Sequence, residues 1–155
     1  PGVWRLHVAG EGPALPDLRR LAADLGIAGR VHFDGAIPSD QVPGYLRDMD
    51  ALVLSSRTLP NWKEQFGRVL VEAMACGVPV IGARSGEIPH VIGDAGLIVP
   101  EEDSDALRAG LLQLMQDDEL RRDLGRRGRQ RVLERFTQAQ IAAETVDVYR
   151  SLSAS

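Results

Sequence analysis

The chain has 155 residues, a formal net charge of -4, 26% charged residues and 44% hydrophobic ones. That length suits one domain with a substantial core, and the mildly acidic balance gives no general pull toward nucleic acid. No apolar run reaches the length of a membrane span, no signal peptide is read, and the single cysteine, Cys76, excludes an internal disulfide.

Cys76 reads as a small core residue and suits a reducing, cytoplasmic compartment. The first residue is Pro rather than Met, which reads as a fragment or a processed chain.

In chain order, Trp4 to Ala9 reads as a strand that ends in Gly10-Glu11-Gly12-Pro13, with Pro13 suited to a first helical turn. Leu15 to Leu25 is an amphipathic helix with Leu15, Leu18, Leu21, Ala22 and Leu25 on one side, and Gly26 near its end. Val31 to Phe33 is a short strand, and Asp34 to Ser39 a loop. Ser39 caps a helix running to about Met49, with Pro43 in its first turns. Ala51 to Leu54 is a buried strand, and Ser55 to Lys63 a polar loop apart from Leu59 and Trp62. Phe66 to Cys76 is a helix apolar nearly all round, with Gly77 as its C-terminal cap and Pro79 just beyond. Val78 to Ile81 reads as a fully buried strand carried on to Ala83. Arg84-Ser85-Gly86 is a turn, Glu87 to Ile92 a helical turn and Leu97 to Val99 the last strand. Three helices close the chain: Ser104–Gln116, Asp118–Phe136 with an expected break near Gly125 or Gly128, and a terminal helix over 138–155.

Strands alternating with helices predict an α/β fold, a Rossmann-like doubly wound parallel sheet in one domain spanning 1–155. In such folds ligands bind at the carboxyl ends of the strands. Those ends are Gly10-Glu11-Gly12, Asp34 to Ser39, Ser55-Ser56 and Arg84-Ser85-Gly86.

Glu72 is out of place on a helix that reads as buried, because an unpaired buried carboxylate costs several kcal/mol. Either it pairs with Arg68, four residues earlier, or it faces a crevice and accepts hydrogen bonds from a ligand. Its two acceptor oxygens suit a cis-diol such as that of a ribose. Glu64, just before the helix, either caps it or binds a second set of hydroxyls. Gly67 lets backbone approach a ligand, and N–H groups at a helix start attract phosphate.

Other signals are weaker. Gly10-Glu11-Gly12 followed by Asp34 imitates a dinucleotide-binding fingerprint, but Leu15 occupies the place of its third glycine. His7 and His32 have no companions at metal-ligand spacing and read as structural, and no Ser/His/Asp set is visible. Arg121, Arg122, Arg126, Arg127, Arg129, Arg131 and Arg135 form a basic run interleaved with acids. It reads as a solvated helical face; the alternative is contact with an anionic membrane surface.

Glu64 and Glu72, separated by seven residues inside EQFGRVLVEAMACGVPVI, resemble the signature of the GT4 family of retaining glycosyltransferases of GT-B fold. Val8 to Pro13, Arg30 to Gly35, Gly86-Glu87-Ile88-Pro89 and Gly93 to Val99 flank it in that family's order. The resemblance covers about residues 3 to 136. It implies the C-terminal, nucleotide-sugar-binding half of such an enzyme, lacking its opening strand and the N-terminal acceptor domain. It also implies roles. Glu72 would bind the ribose, and Glu64 the donor sugar, as the residue nearest catalysis. Phe66, Gly67 and Arg68 would approach sugar and diphosphate by their N–H groups, Gly10 and Gly12 would lie near the diphosphate, and Ile37, Pro38 and Ser39 would hold the base. The family's usual phosphate-holding Arg and Lys precede this stretch, which leaves Lys63 and Arg68 as candidates. His90 stands where the family often has Glu.

The full enzyme implied would transfer a sugar to a glycan, lipid or small-molecule acceptor, with a nucleotide-diphosphate sugar as substrate and no metal or other cofactor. The alternatives are a non-catalytic nucleotide-binding module, and a nucleotide-sugar epimerase of similar architecture. The isolated chain is expected to be inactive. The expected location is cytoplasmic, peripheral at a membrane if the basic run binds lipid.

Overall fold

The structure is a computed structural model that describes residues 2–153. The chain divides into two compact units, Pro1–Val42 and Pro43–Ser155.

The first unit holds β1 (Leu6–Ala9), α1 (Leu15–Asp24), a 3-10 turn at Ala28–Arg30 and β2 (Val31–Gly35). The strands pair in parallel, Leu6 opposite Val31, with a register shift between Val8 and Ala9. α1 begins at Leu15, as its amphipathic pattern predicts, with Pro16 rather than Pro13 in the first-turn position where a missing N–H costs nothing. Ala22 is its one fully buried hydrophobic residue among those described. Surface stacking contributes instead: Arg19 lies over the Phe33 ring at 4.7 Å, and His7 stacks on His32 with centroids 4.8 Å apart.

The second unit carries the main core. Its elements are α2 (Val42–Arg47, which starts at the last residue of the first unit), β3 (Leu52–Leu54), α3 (Arg68–Ala75), β4 (Val80–Ala83), α4 (Ile88–Ile92), β5 (Leu97–Val99), α5 (Ser104–Gln116), α6 (Asp118–Arg135) and α7 (Gln138–Ser153). The terminal helix was expected to run to 155; residues 154–155 lie outside the described residues. α2 starts at Val42 rather than Ser39, placing Pro43 in its first turn.

The three strands form a parallel sheet in the order β3-β4-β5. Every residue of β4 is buried, as expected of a central parallel strand covered on both faces. Successive side chains of β4 point to opposite faces. Ile81 packs with Leu114 of α5 and Leu124 of α6, and the next residue, Gly82, lies directly under Ile88 and Ile92 of α4. Helices therefore cover both faces, and the fold is a Rossmann-like, doubly wound α/β arrangement. Its parallel strands are shared between two sheets, β1-β2 and β3-β4-β5.

α6 runs unbroken through Gly125 and Gly128. These glycines mark close packing rather than a break. A Cβ on Gly125 would lie 2.3 Å from the Gly77 carbonyl oxygen, and one on Gly128 3.1 Å from the Met74 side chain. Their small size lets α6 lie directly on the end of α3.

The arginines of α6 are more engaged than a solvated face implies. Arg121 donates to the Leu114 carbonyl, Arg129 to the Ala75 carbonyl and Arg131 to the Val91 and His90 carbonyls. Each cap falls at a helix end, where carbonyls lack intrahelical partners and the dipole favours positive charge. Arg127 pairs with Asp94 at 2.9 Å and holds its carboxyl below the usual aspartate range, chiefly through their side-chain hydrogen bond.

Candidate functional site

In the second unit, Glu64 sits in the loop that joins β3 to α3. Its backbone is held at the carboxyl end of β4, where the Glu87 N–H donates to the Glu64 carbonyl at 3.1 Å. Gly86 makes this possible. It has φ +49°, and a Cβ there would lie 1.9 Å from the same carbonyl oxygen. The Glu64 carboxylate is half-buried and accepts from Gly67 N–H at 3.0 Å and from the Ser56 hydroxyl at 3.2 Å. It thus bonds the residue ahead of the first turn, and α3 itself has no side-chain cap. The Gly67 N–H, expected to approach a ligand, is directed at Glu64 instead.

α3 is shorter than the Phe66–Cys76 helix expected from the sequence. Gly67 has φ +75°, a left-handed conformation open to glycine, so Phe66 and Gly67 stand before the first turn. Phe66 meets the Phe136 ring edge-on, with centroids 5.7 Å apart. Nor is the helix buried all round: Leu70, Ala73 and Met74 are enclosed, whereas Glu72 keeps 38% of its side chain exposed. The cost of a buried charge is thereby avoided. Glu72 pairs with Arg68 at 3.3 Å, with Arg68 itself 85% exposed. An exposed pair of this kind contributes only about 0.3–0.5 kcal/mol, so it is readily exchanged for a ligand. Glu64, Phe66, Gly67, Arg68 and Glu72 thus gather at the start of one helix. Lys63 is exposed beside them and lines a shallow cavity of about 470 Å³ with Trp62, Asn61 and Gln65.

The first unit carries the remaining candidates. Gly10 has φ +116° and donates its N–H to the Gly35 carbonyl at 2.6 Å, at the carboxyl ends of β1 and β2. Open space lies above both Gly10 and Gly12, with no heavy atom within 4 Å of an added Cβ. Ile37 is half-buried, and Pro38 and Ser39 are exposed just past β2. Asp34, the acid of the dinucleotide fingerprint, hydrogen-bonds His7 Nδ1 at 2.9 Å. That contact gives both residues a structural role.

Thr58 and Glu101 escaped the sequence reading, and Ser85 entered it only as part of the turn after β4. Thr58 donates its N–H to Glu101 Oε2 at 2.8 Å and its hydroxyl to Glu101 Oε1 at 2.6 Å. Ser85, fully buried, meets the Thr58 hydroxyl at 3.1 Å. Because the Thr58 proton is committed to Glu101, Ser85 is the donor in that pair. The Thr58 hydroxyl, then its N–H, hold the Glu101 carboxyl below the usual glutamate range, with a smaller pull from Ser85. Thr58 and Glu101 lie 43 residues apart, and no local spacing signals such a pair. A cavity of about 290 Å³ is lined by Val53, Ile81 and Val99 and by the Arg57–Glu102 pair, the chain neighbours of Thr58 and Glu101. Among the described residues, no three His, Cys, Asp or Glu side chains stand together as a metal site would require. No helix among them is long and apolar enough to cross a membrane.

The family model "Glycosyl transferases group 1" matches residues 2–131. N-acetyl-alpha-D-glucosaminyl L-malate synthase of Bacillus anthracis is 39% identical over 147 residues, 94% of this chain and 37% of that protein. The GDP-mannose-dependent alpha-(1-6)-phosphatidylinositol monomannoside mannosyltransferase of Mycolicibacterium smegmatis is 35% identical over 135 residues, 84% of this chain and 35% of that protein. The chain thus spans little more than a third of the length of these relatives. Among solved structures, the C-terminal domain of the group 1 glycosyl transferase LpcC of Francisella tularensis superposes with a TM-score of 0.76 at 28% identity. It covers 87% of this chain and 71% of that one.

Proposed function

We propose, from the premise that this chain belongs to the glycosyl transferases group 1 family, that it is the donor-binding part of a retaining, metal-independent glycosyltransferase. Its substrate is a nucleotide-diphosphate sugar. Glu72 takes the ribose diol, exchanging Arg68 for two sugar hydroxyls. Glu64 takes hydroxyls of the donor sugar. The start of α3, with Arg68 and Lys63, meets the diphosphate, so that side-chain charge and helix dipole do the work a metal does elsewhere. Within the first unit, taken by itself, Gly10 and Gly12 keep the role toward a diphosphate, and Ile37, Pro38 and Ser39 the role toward a base, that the resemblance implies. The acceptor side belongs to an N-terminal domain outside this stretch, as the share of the relatives' length suggests.

One observation carries this reading. The turn after β4 holds Glu64 at the carboxyl edge of a parallel sheet, with its carboxylate half-exposed. That edge is where such sheets bind ligands. The similarity to the GDP-mannose-dependent mannosyltransferase of Mycolicibacterium smegmatis supports a nucleotide sugar as donor. The test is Glu64→Ala and Glu72→Ala in a full-length relative. Glu72→Ala should weaken donor binding by about tenfold or more, and Glu64→Ala should lower turnover, each removing hydrogen bonds to a charged acceptor. Unchanged donor affinity and turnover in both variants would sink the proposal.

A further inference from the structure

The loop between β3 and α3 has little regular structure to hold it. It carries only a short bridge between Leu59 and Trp62. Two polar attachments replace the missing ladder. One is Glu64 itself, tied to Ser56, Gly67 and Glu87. The other is Glu101, which takes both donors of Thr58, with buried Ser85 behind them. Ser85 and Glu87 belong to the same turn after β4. The two attachments therefore meet on one short piece of backbone, and a slack loop at Thr58 would be transmitted to Glu64.

We propose that Glu101, acting through Thr58, is a positioning residue for Glu64: it holds the loop from the end of β5 so that the Glu64 carboxylate presents a fixed edge to the donor sugar. This rests on the donor-site reading above. Glu101 touches no substrate in this scheme. Its contribution is to keep Thr58, and with it the chain leading to Glu64, from sampling alternatives, and ordering of this kind shows most in interactions that demand accurate geometry. Discrimination in favour of the sugar should therefore suffer while affinity for the bare nucleotide does not.

The test uses the chain with Thr58→Val, Glu101→Ala and Thr58→Ser. Amide exchange resolved by NMR reads the attachment directly. Thr58→Val and Glu101→Ala should speed exchange at Gly67 and Glu87, the two amides that bond Glu64, by about tenfold, the effect of losing one or two hydrogen bonds. Amides in the middle of α6 should keep their rates, and Thr58→Ser, which preserves both donors, should restore protection. Unchanged rates at Gly67 and Glu87, or a rise spread evenly over the unit, would overturn the inference. Binding then reads the consequence, as the affinity of UDP-glucose over UDP and of GDP-mannose over GDP. Thr58→Val and Glu101→Ala should reduce the wild-type preference as Glu64→Gln does, with the bare nucleotides unaffected. If Glu64→Gln leaves the preference intact, the donor-site reading falls and this inference with it. If Glu64→Gln removes it and the other two variants do not, this inference alone falls. Where Glu101→Ala does not fold, Thr58→Val at its exposed position carries the test.

Discussion

Glu64 accepts two hydrogen bonds from its own surroundings, and Glu72 holds an exposed arginine. Both carboxylates are thus satisfied without ligand: Glu72 by an exposed arginine that sugar hydroxyls can displace at small cost, and Glu64 by two donors that leave its remaining lone pairs free to accept from a sugar. Gly86 bears on this site more than any neighbour. With φ +49° and the Glu64 carbonyl where its Cβ would go, Gly86→Ala should destabilise the chain by about 1–3 kcal/mol through strain and overpacking. Denaturant unfolding checks the loss, and a shifted Glu64 resonance checks its location. Glu101 makes a second expectation. Its carboxyl lies below the usual range when folded, so its hold on Thr58 is complete above the unfolded glutamate value of about 4.3. That hold is lost as pH falls through the lower folded value. Thr58 amide protection followed as pH falls from neutrality through and below the unfolded glutamate value should show this loss in wild type, and no such step in Glu101→Ala.

At the scale of elements, α6 is the instructive case. Its glycines read as breaks in the sequence but serve as contact points, because the partner that demands them is the end of α3 and lies far away in the chain. Gly125→Ala should therefore cost about 1–3 kcal/mol by driving a methyl into the Gly77 carbonyl, despite alanine's better helix propensity. Gly110 in α5 is the control. An added Cβ there meets Ile81 and Leu97 at 3.5 Å, an ordinary contact, so Gly110→Ala should be neutral or stabilising by up to about 1 kcal/mol. Thermal and urea unfolding of the two variants, side by side, tests whether packing or propensity decides. The arginines of α6 teach the same lesson. Their charge was legible, but their occupation by the ends of α3, α4 and α5 was not, since those carbonyls are brought to them only by folding.

At the scale of the molecule, the two units differ in how they are held. Pro43–Ser155 encloses the buried cluster around Ile81, Leu114 and Leu124, whereas Pro1–Val42 fully buries Ala22 alone among its described hydrophobic residues. Local stability follows buried contact. Amides of β1 and β2 should exchange faster than those of β3, β4 and β5 under native conditions; equal protection in both sheets would contradict this. Ligand linkage gives the complementary prediction. A cognate nucleoside diphosphate at about 100 times its dissociation constant should add roughly 2.7 kcal/mol to stability. Melting curves with UDP, GDP, ADP and NADH, in wild type and Glu72→Ala, should show one nucleoside diphosphate stabilising the former only. NADH as the sole stabiliser would point back to a dinucleotide site. A chelator should leave that shift, and sugar transfer by a full-length relative, unchanged.

Hydrophobic periodicity and glycine–proline punctuation by themselves determined the order of strands and helices, and the spacing of two glutamates picked out the head of α3. Such signals are local, written within a turn or two of chain. Tertiary structure alone decided which face of α3 is buried, that Gly125 is a contact, and that Glu101 reaches back to Thr58. Those outcomes depend on atoms brought together from distant parts of the chain, and close packing and hydrogen bonding act on distance in space, to which sequence spacing is blind.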